Sequence, residues 1–194
     1  MSEFITHTLN SAPKAAQPLL QAAKKDFGFV PNLLGVFAES PATLEAYLQL
    51  HKLFDQSSFN KAERQIILLS ISRFADCCYC LAAHGTVANA LKIPTEIINA
   101  IHYQQPLTDT KLEALRAFIV AVLENRGWVD KQDLQEFYQA GYVQQQVLEI
   151  ILAISFKTLS NYVNNINDTE IDSQFIKGLP DAEIGQKTKS VACA

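Results

Sequence analysis

A cysteine pair and a histidine within eight residues are the groups of this chain best suited to chemistry. Cys77 and Cys80 are separated by two residues, and His84 follows four positions later. On a helix, residues three and four apart share a face, so these three side chains would line one stripe. The Cα atoms of the two cysteines would then lie about 5–6 Å apart, which a disulfide tolerates. The spacing predicts a dithiol that opens and closes reversibly, which is redox chemistry.

The start of this helix bears on the reactivity of the thiols. Asp76 precedes the pair and is a suitable N-cap, which would place Cys77 in the first helical turn. The unpaired backbone N–H groups and the helix dipole at that end favour a thiolate, and thiols there can reach a pKa of about 3.5–7.5. We therefore predict that a cysteine of the pair ionises near neutral pH.

Three other interpretations of the motif remain open. Cys77, Cys80 and His84 could supply three ligands to zinc, although three ligands on one stripe surround a metal poorly and no fourth is evident. The cysteines could instead be small buried hydrophobes. A structural disulfide is the weakest alternative, because so short a loop restrains the unfolded chain little.

The other cysteines and histidines receive no role from the sequence. Cys78 points away from the stripe and is predicted to pack, and Cys193 lies one residue from the C-terminus in a polar tail. Three histidines have no companion at catalytic or metal-binding spacing and are interpreted as ordinary: His7, His51 and His102.

The composition predicts a single cytoplasmic domain spanning residues 1–194. The chain is 48% hydrophobic, which is enough to bury a core. A net charge of −4, without a run of Lys or Arg, argues against a nucleic-acid partner. No signal peptide and no apolar run long enough for a membrane span are visible. Four cysteines without a plausible two-bridge framework indicate a reducing compartment.

The periodicity predicts an all-α fold with a core at about residues 25–175, between an N-terminal lead-in and the polar tail. Glycines and prolines fall between helical patterns, with Gly85 as the exception, and no stretch alternates as a strand does. Asn60 and Glu63 form a capping-box pattern before an apolar helix. The last long helix should run from about 143 to 163 and bury five residues: Val147, Ile150, Ile151, Ile154 and Leu159.

The helix that leads into the cysteines is apolar nearly all round, from Ile66 to Ile71. Such a helix must be covered on more than one face. We therefore expect a homo-oligomer with part of its interface near the cysteines. The alternative is that Leu44, Phe118 and Ile151 cover this helix within one chain.

These motifs resemble the carboxymuconolactone decarboxylase and alkylhydroperoxidase D-like superfamily, in particular its peroxidase-related branch. The central signal is Glu63-Arg64-Gln65-Ile66-Ile67 through Ser72-Arg73, followed by the cysteine motif with Leu81-Ala82-Ala83 before His84. The resemblance covers roughly residues 25 to 175. It includes four flanking segments: Gly28 to Asn32, Ala38 to Pro41, Asn161 to Asn164 and Thr169 to Asp172.

The resemblance implies a helical bundle whose central antiparallel helix pair carries the cysteine motif, assembled as dimers, trimers or hexamers. It implies that Cys80 attacks a hydroperoxide or disulfide and that Cys77 resolves the product as a disulfide. An external dithiol or thiol protein would restore both, and no metal or other cofactor would take part. His84 would hold or relay a proton, unless it is only a satisfied core histidine.

One position departs from the pattern of the peroxidase members, which carry a glutamate as the base of a proton relay. The matching residue here is Gln65, and an amide orients water but accepts no proton at neutral pH. Glu63 lies about 200° away round the helix and cannot substitute for it. The sequence thus predicts weak peroxidase activity or a disulfide substrate. A lactone decarboxylase, which has no use for a cysteine pair, and a non-catalytic redox sensor are the alternatives.

Overall fold

The computed structural model describes residues 4–180, and in this range the chain forms nine α-helices, a short 3-10 helix and no strand. This confirms the all-α prediction; Cys193 and most of the polar tail lie outside the described residues. No helix of this range has the length and apolar character that a membrane span requires. The helices are α1 (Gln17–Phe27), α2 (Asn32–Phe37), α3 (Pro41–Phe54), α4 (Lys61–Phe74), α5 (Cys78–Ala90), α6 (Thr95–His102), α7 (Thr110–Glu124), α8 (Lys131–Gln139) and α9 (Gln144–Asn167).

Local sequence signals set several helix ends. The predicted capping box opens α4, because Glu63 N–H donates to Asn60 Oδ1 at 2.9 Å and Asn60 N–H donates to Glu63 Oε2 at 3.0 Å. Pro41 begins α3 at a position where its missing N–H costs nothing. Gly28, with a φ of 83°, ends α1 in the left-handed conformation that glycine adopts readily.

Helix α4 is the centre of the fold. It packs against α5, α6, α7 and α9, and only the turn at residues 75–77 separates it from α5, so the two helices form the predicted antiparallel pair. The chain itself buries Ile66 through Ser72, each at most 3% exposed. The apolar character of α4 therefore gives no support for an oligomer. Phe118 of α7 belongs to this core, whereas Ile151 is 42% exposed.

Helix α9 faces the core with four of the five residues that the sequence placed inside. Ile150 is fully buried and Val147, Ile154 and Leu159 pack partly buried against the core, whereas Ile151 is 42% exposed, so the prediction for Ile151 is wrong. The buried stripe begins with apolar side chains and becomes polar towards the C-terminus of the helix. Its members are Ile150, Ala153, Phe156, Lys157, Ser160, Asn161, Asn164 and Asn167.

The segment after α9, residues 168–180, lies across α5 and is called the C-terminal strap here. Two glycines permit the close approach of the strap to the helix. A Cβ atom on Gly85 of α5 would lie 2.0 Å from the carbonyl oxygen of Gly178, and one on Gly178 would lie 1.9 Å from the carbonyl oxygen of Ala82. This contact explains the glycine inside the cysteine helix.

Candidate active site

The turn between α4 and α5 places the two cysteines. Asp76 has a φ of 48°, and its carboxylate pairs with Arg73 at 3.2 Å. The prediction that Asp76 is the N-cap is wrong, because the reversal after α4 needs a left-handed residue, which aspartate tolerates. The N-cap is Cys77, whose N–H donates to Ser72 O at 3.0 Å. Cys80 is thus the third residue of α5, still inside the first turn where the helix dipole acts.

The two thiols lie together inside the protein. Cys77 is fully buried, Cys80 is 2% exposed, and neither takes part in a disulfide. The side-chain amide of Asn164 on α9 donates to both sulfurs, at 3.4 Å to Cys80 Sγ and 3.8 Å to Cys77 Sγ. A single amide from a distant helix therefore holds the pair that the sequence predicted.

The surroundings shift the pKa values of the two thiols in opposite directions. Burial raises the pKa of Cys80, but the hydrogen bond from Cys77, the Lys157 ammonium and the Asn164 amide outweigh burial and bring that pKa down to about 5. The same hydrogen bond and burial raise the pKa of the Cys77 thiol. At neutral pH the pair therefore consists of a Cys80 thiolate and a Cys77 thiol, which is the asymmetry needed by a nucleophile and a resolving thiol.

A buried lysine on α9 is the site residue that sequence reasoning missed. Lys157 has no exposed surface, and no oxygen or nitrogen atom of residues 4–180 accepts a hydrogen bond from its Nζ. Its positive charge lowers the pKa of Cys80. The signal was present in the spacing, since Lys157 continues the stripe of Ile150 and Ala153 at helical intervals.

The structure also brings together His84 and Gln65, the two other residues expected at the site. His84 Nδ1 lies 3.3 Å from Gln65 Oε1. With the amide oxygen as the acceptor of this contact, the proton is assigned to Nδ1 and the lone pair to Nε2. Burial, followed by the charges of Lys157 and His51, holds the pKa of His84 well below its usual value. The imidazole is therefore neutral at pH 7 and able to accept a proton.

His51, which the sequence left without a role, lies beside the same groups. Its ring packs edge-on against Phe156 with 5.3 Å between the ring centroids. Burial lowers the pKa of His51, Asp55 opposes this shift, and the Lys157 ammonium adds to it. The interpretation of His51 as ordinary was incomplete, because its companions come from α5 and α9 and no local spacing could reveal them.

Two of the flanking segments that carry the resemblance meet on the cysteine helix. Tyr79 Oη donates to the Asp172 carboxylate of the C-terminal strap at 2.5 Å and accepts from Leu33 N–H at 3.3 Å. The N–H of Asn32 donates to the same carboxylate at 3.1 Å. Burial raises the pKa of Asp172. These contacts fix the first turn of α5 from both ends of the chain.

The zinc interpretation finds no geometric support in the described part of the chain. Nowhere in residues 4–180 do three His, Cys, Asp or Glu side chains converge as metal ligands do. The thiols are faced instead by an amide donor and an ammonium, and the positive charge of Lys157 opposes a cation beside Cys80.

The chain is similar to known proteins in its three-dimensional structure. No family model matches the chain, and neither does any curated protein. A peroxidase-related protein from Ralstonia eutropha JMP134, described as an alkylhydroperoxidase AhpD core, is similar with a TM-score of 0.80 and 21% identity, over 93% of this chain and 98% of that one. A peroxidase-related protein from Silicibacter sp. TM1040 gives a TM-score of 0.75 and 20% identity, over 89% and 94% of the two chains.

The debrominase Bmp8 is also similar, with a TM-score of 0.74 and 21% identity, over 95% of this chain and 98% of that one. At these identities the likeness concerns the fold alone. The chain therefore has the helical fold of the alkylhydroperoxidase AhpD core, which confirms the fold that the resemblance implied.

Proposed function

We propose that the protein is a cytoplasmic, thiol-dependent oxidoreductase that reduces hydroperoxides or disulfides through Cys80 and Cys77. The observation that supports this proposal best is the pair of adjacent buried thiols whose pKa values are shifted in opposite directions. A thiolate beside a thiol supplies a nucleophile and a resolving group without a bound cofactor.

The reaction would begin at Cys80. Its thiolate attacks the terminal oxygen of a hydroperoxide, an S–O bond forms, the O–O bond breaks, and Cys80 becomes a sulfenic acid. Cys77 then attacks the Cys80 sulfur, so that the S–S bond forms while the S–O bond breaks and water leaves. Two thiol–disulfide exchanges with an external dithiol or thiol protein restore the pair.

His84 would serve the second step. Its neutral Nε2 lies one helical turn beyond Cys80, where it can accept the Cys77 proton and pass it to the departing hydroxide. Gln65 would orient the ring through the bond to Nδ1. Because Gln65 accepts no proton itself, we expect disulfides to be reduced at least as fast as hydroperoxides.

Turnover with a dithiol donor tests this proposal. Wild type should consume a hydroperoxide or a disulfide, Cys80→Ser should consume neither, and Cys77→Ser should stop at a sulfenic acid that a carbon nucleophile traps. Exposed Lys131→Met, on α8, is the control. Oxidised wild type should lose two hydrogens within the peptide that contains both cysteines.

Other outcomes favour the alternatives. A reversible Cys77–Cys80 disulfide without turnover would favour a redox sensor, and lactone decarboxylation by Cys80→Ser would favour the decarboxylase branch. The assay should also include a brominated arene as a test compound, because the fold is similar to that of a debrominase. A dithiol can reduce a carbon–bromine bond, giving the arene, bromide, a proton and the disulfide. Near-stoichiometric zinc in protein purified without chelator would contradict the proposal.

We further propose a homo-oligomer, for a different reason from the one that the sequence suggested. The outer face of α9 exposes large apolar side chains in the single chain, and a second copy would cover them. Sedimentation should give a multiple of the 21.6 kDa chain, as the implied dimers, trimers or hexamers require. The residues of this face are Leu148, Ile151, Tyr162 and Ile166, which are 42–69% exposed.

A further inference from the structure

We infer that Lys157 is the proton partner of Cys80: its ammonium balances the buried thiolate and then protonates the oxygen that leaves the hydroperoxide. This inference rests on the proposed function and adds a catalytic residue to it. No motif quoted for the resemblance includes Lys157, and the sequence indicated no role for it.

The surroundings of Lys157 leave it without a conventional counter-ion. Its side chain is fully buried, and no carboxylate of residues 4–180 lies within ion-pair distance of Nζ. The titratable groups that face it from the packed helices are few. Those whose charges interact with Lys157 are His51 of α3 and Cys77, Cys80 and His84 of α5, and Tyr47 of α3 faces the same two thiols.

A buried ammonium without an anion is very costly, so it must lose its proton or gain a negative neighbour. The histidines cannot supply negative charge, and burial raises the pKa values of the Tyr47 phenol and, with the hydrogen bond to Cys80, of the Cys77 thiol. Cys80 is the remaining acid. Lys157 and Cys80 therefore hold one proton between them. The proton lies either on Cys80, beside a neutral Lys157 amine, or on Lys157, beside a Cys80 thiolate, and the net charge is zero in both forms.

The net charge of Lys157 and Cys80 stays zero through the reaction. When the Cys80 thiolate takes the terminal O–H of a hydroperoxide, the electron pair of the O–O bond goes to the leaving alkoxide. The Lys157 ammonium gives that oxygen its proton, so the products are an alcohol, a sulfenic acid and a neutral amine. On reduction of the disulfide, the amine takes up a proton from the incoming dithiol as the Cys80 thiolate reappears. No step leaves an unbalanced charge inside the protein.

This assignment accounts for the amide at position 65. A relay glutamate would serve as the base that accepts the proton of the attacking thiol. Here the Lys157 amine, on α9 rather than on α4, takes that place. Gln65 itself orients His84.

The first test measures the pH dependence of Cys80 alkylation in the reduced full-length protein, followed by peptide sequencing. Wild type should show a midpoint of about 5. Lys157→Met should move the midpoint to about 8.5 or above, the range of an ordinary or buried thiol. Lys157→Arg, which keeps the charge, should stay within about one pH unit of wild type, and exposed Lys131→Met is the control. The midpoint is decisive rather than the rate, because a thiolate of higher pKa is intrinsically more nucleophilic.

The second test separates charge from proton donation. A hydroperoxide leaves as a basic alkoxide and needs an acid, whereas an aromatic disulfide leaves as a stable thiolate and does not. Lys157→Arg should therefore lose about 100-fold in hydroperoxide turnover but less than about threefold with the disulfide, because a guanidinium does not release its proton. Circular dichroism of each variant checks the fold.

Two results would overturn the inference. An unchanged alkylation midpoint in folded Lys157→Met would show that Lys157 and Cys80 form no ion pair. Equal losses of activity of Lys157→Arg on both substrates would show that Lys157 donates no proton. If wild type consumes neither substrate, the proposed function fails together with the proton donation, while the alkylation midpoints still decide the Lys157–Cys80 pair.

Discussion

The buried thiolate of Cys80 should make the stability of the reduced protein depend on pH in a measurable way. Its folded pKa, about 5, lies below that of an unfolded cysteine, about 8.5. Between these values the unfolded chain binds the extra proton, so the free energy of unfolding rises with pH and falls as the pH approaches 5. Because Lys157 loses its counter-ion when Cys80 is removed, the reference protein is the double variant Cys80→Ser/Lys157→Met, which lacks both members of the pair.

The expected change in unfolding free energy follows from the uptake of one proton on unfolding. One proton corresponds to about 1.4 kcal/mol per pH unit, and an unfolded thiol is still mostly protonated between pH 7 and 8, so wild type should gain about 1.2 kcal/mol over this interval relative to the double variant. The histidines whose pKa values are lowered, His51 and His84, also raise stability with pH. Their contribution is present in both proteins and cancels in the comparison.

Urea unfolding of the reduced proteins measures this difference in unfolding free energy. Circular dichroism follows the unfolding at a pH of about 7.0, 7.5 and 8.0, below the pKa of an unfolded thiol. A phosphine reductant keeps the thiols reduced without adding a competing thiol. Wild type and the double variant should diverge steadily as the pH rises. Parallel pH profiles would show that folded Cys80 keeps its proton beside a charged Lys157, and the thiolate at the centre of the mechanism would have to be abandoned.

Three further predictions concern the neighbours of the pair. Gln65→Glu should raise hydroperoxide turnover near neutral pH by roughly tenfold, because it restores part of a general-base contribution of about 10²–10⁴-fold; equal rates would show that this position is irrelevant. Asn164→Ala removes an amide that donates to both sulfurs, so the alkylation midpoint of Cys80 should rise by about one pH unit, given about 1.5–3 kcal/mol for a hydrogen bond to a charged group and the long distance of 3.4 Å. Tyr79→Phe should cost about 1–3 kcal/mol in unfolding free energy, because it takes one of two donors from a buried carboxylate and leaves the Leu33 N–H without its acceptor. Exposed Tyr138→Phe should cost little in the same urea titration.

The sequence determined those features that depend on residues close together in the chain. Helical periodicity and the absence of alternating stretches predicted an all-α fold, and the Asn60–Glu63 spacing predicted the start of α4. The interval between Cys77 and Cys80 predicted that both thiols would meet on one side of a helix start. These predictions succeeded because a helix repeats every 3.6 residues, so spacing along the chain fixes which residues share a face.

Only the tertiary structure decided which partners the dithiol has. Helix α9 carries apolar residues on two faces, so its pattern alone could not choose between them, and packing against α3, α4 and α5 turned Lys157 and Asn164 inward while leaving Leu148 outside. Both inward residues lie more than 75 positions from Cys80 in the sequence. The lowered pKa of Cys80 arises from these distant groups, because a thiolate can be buried only where other elements bring a donor and a positive charge to it.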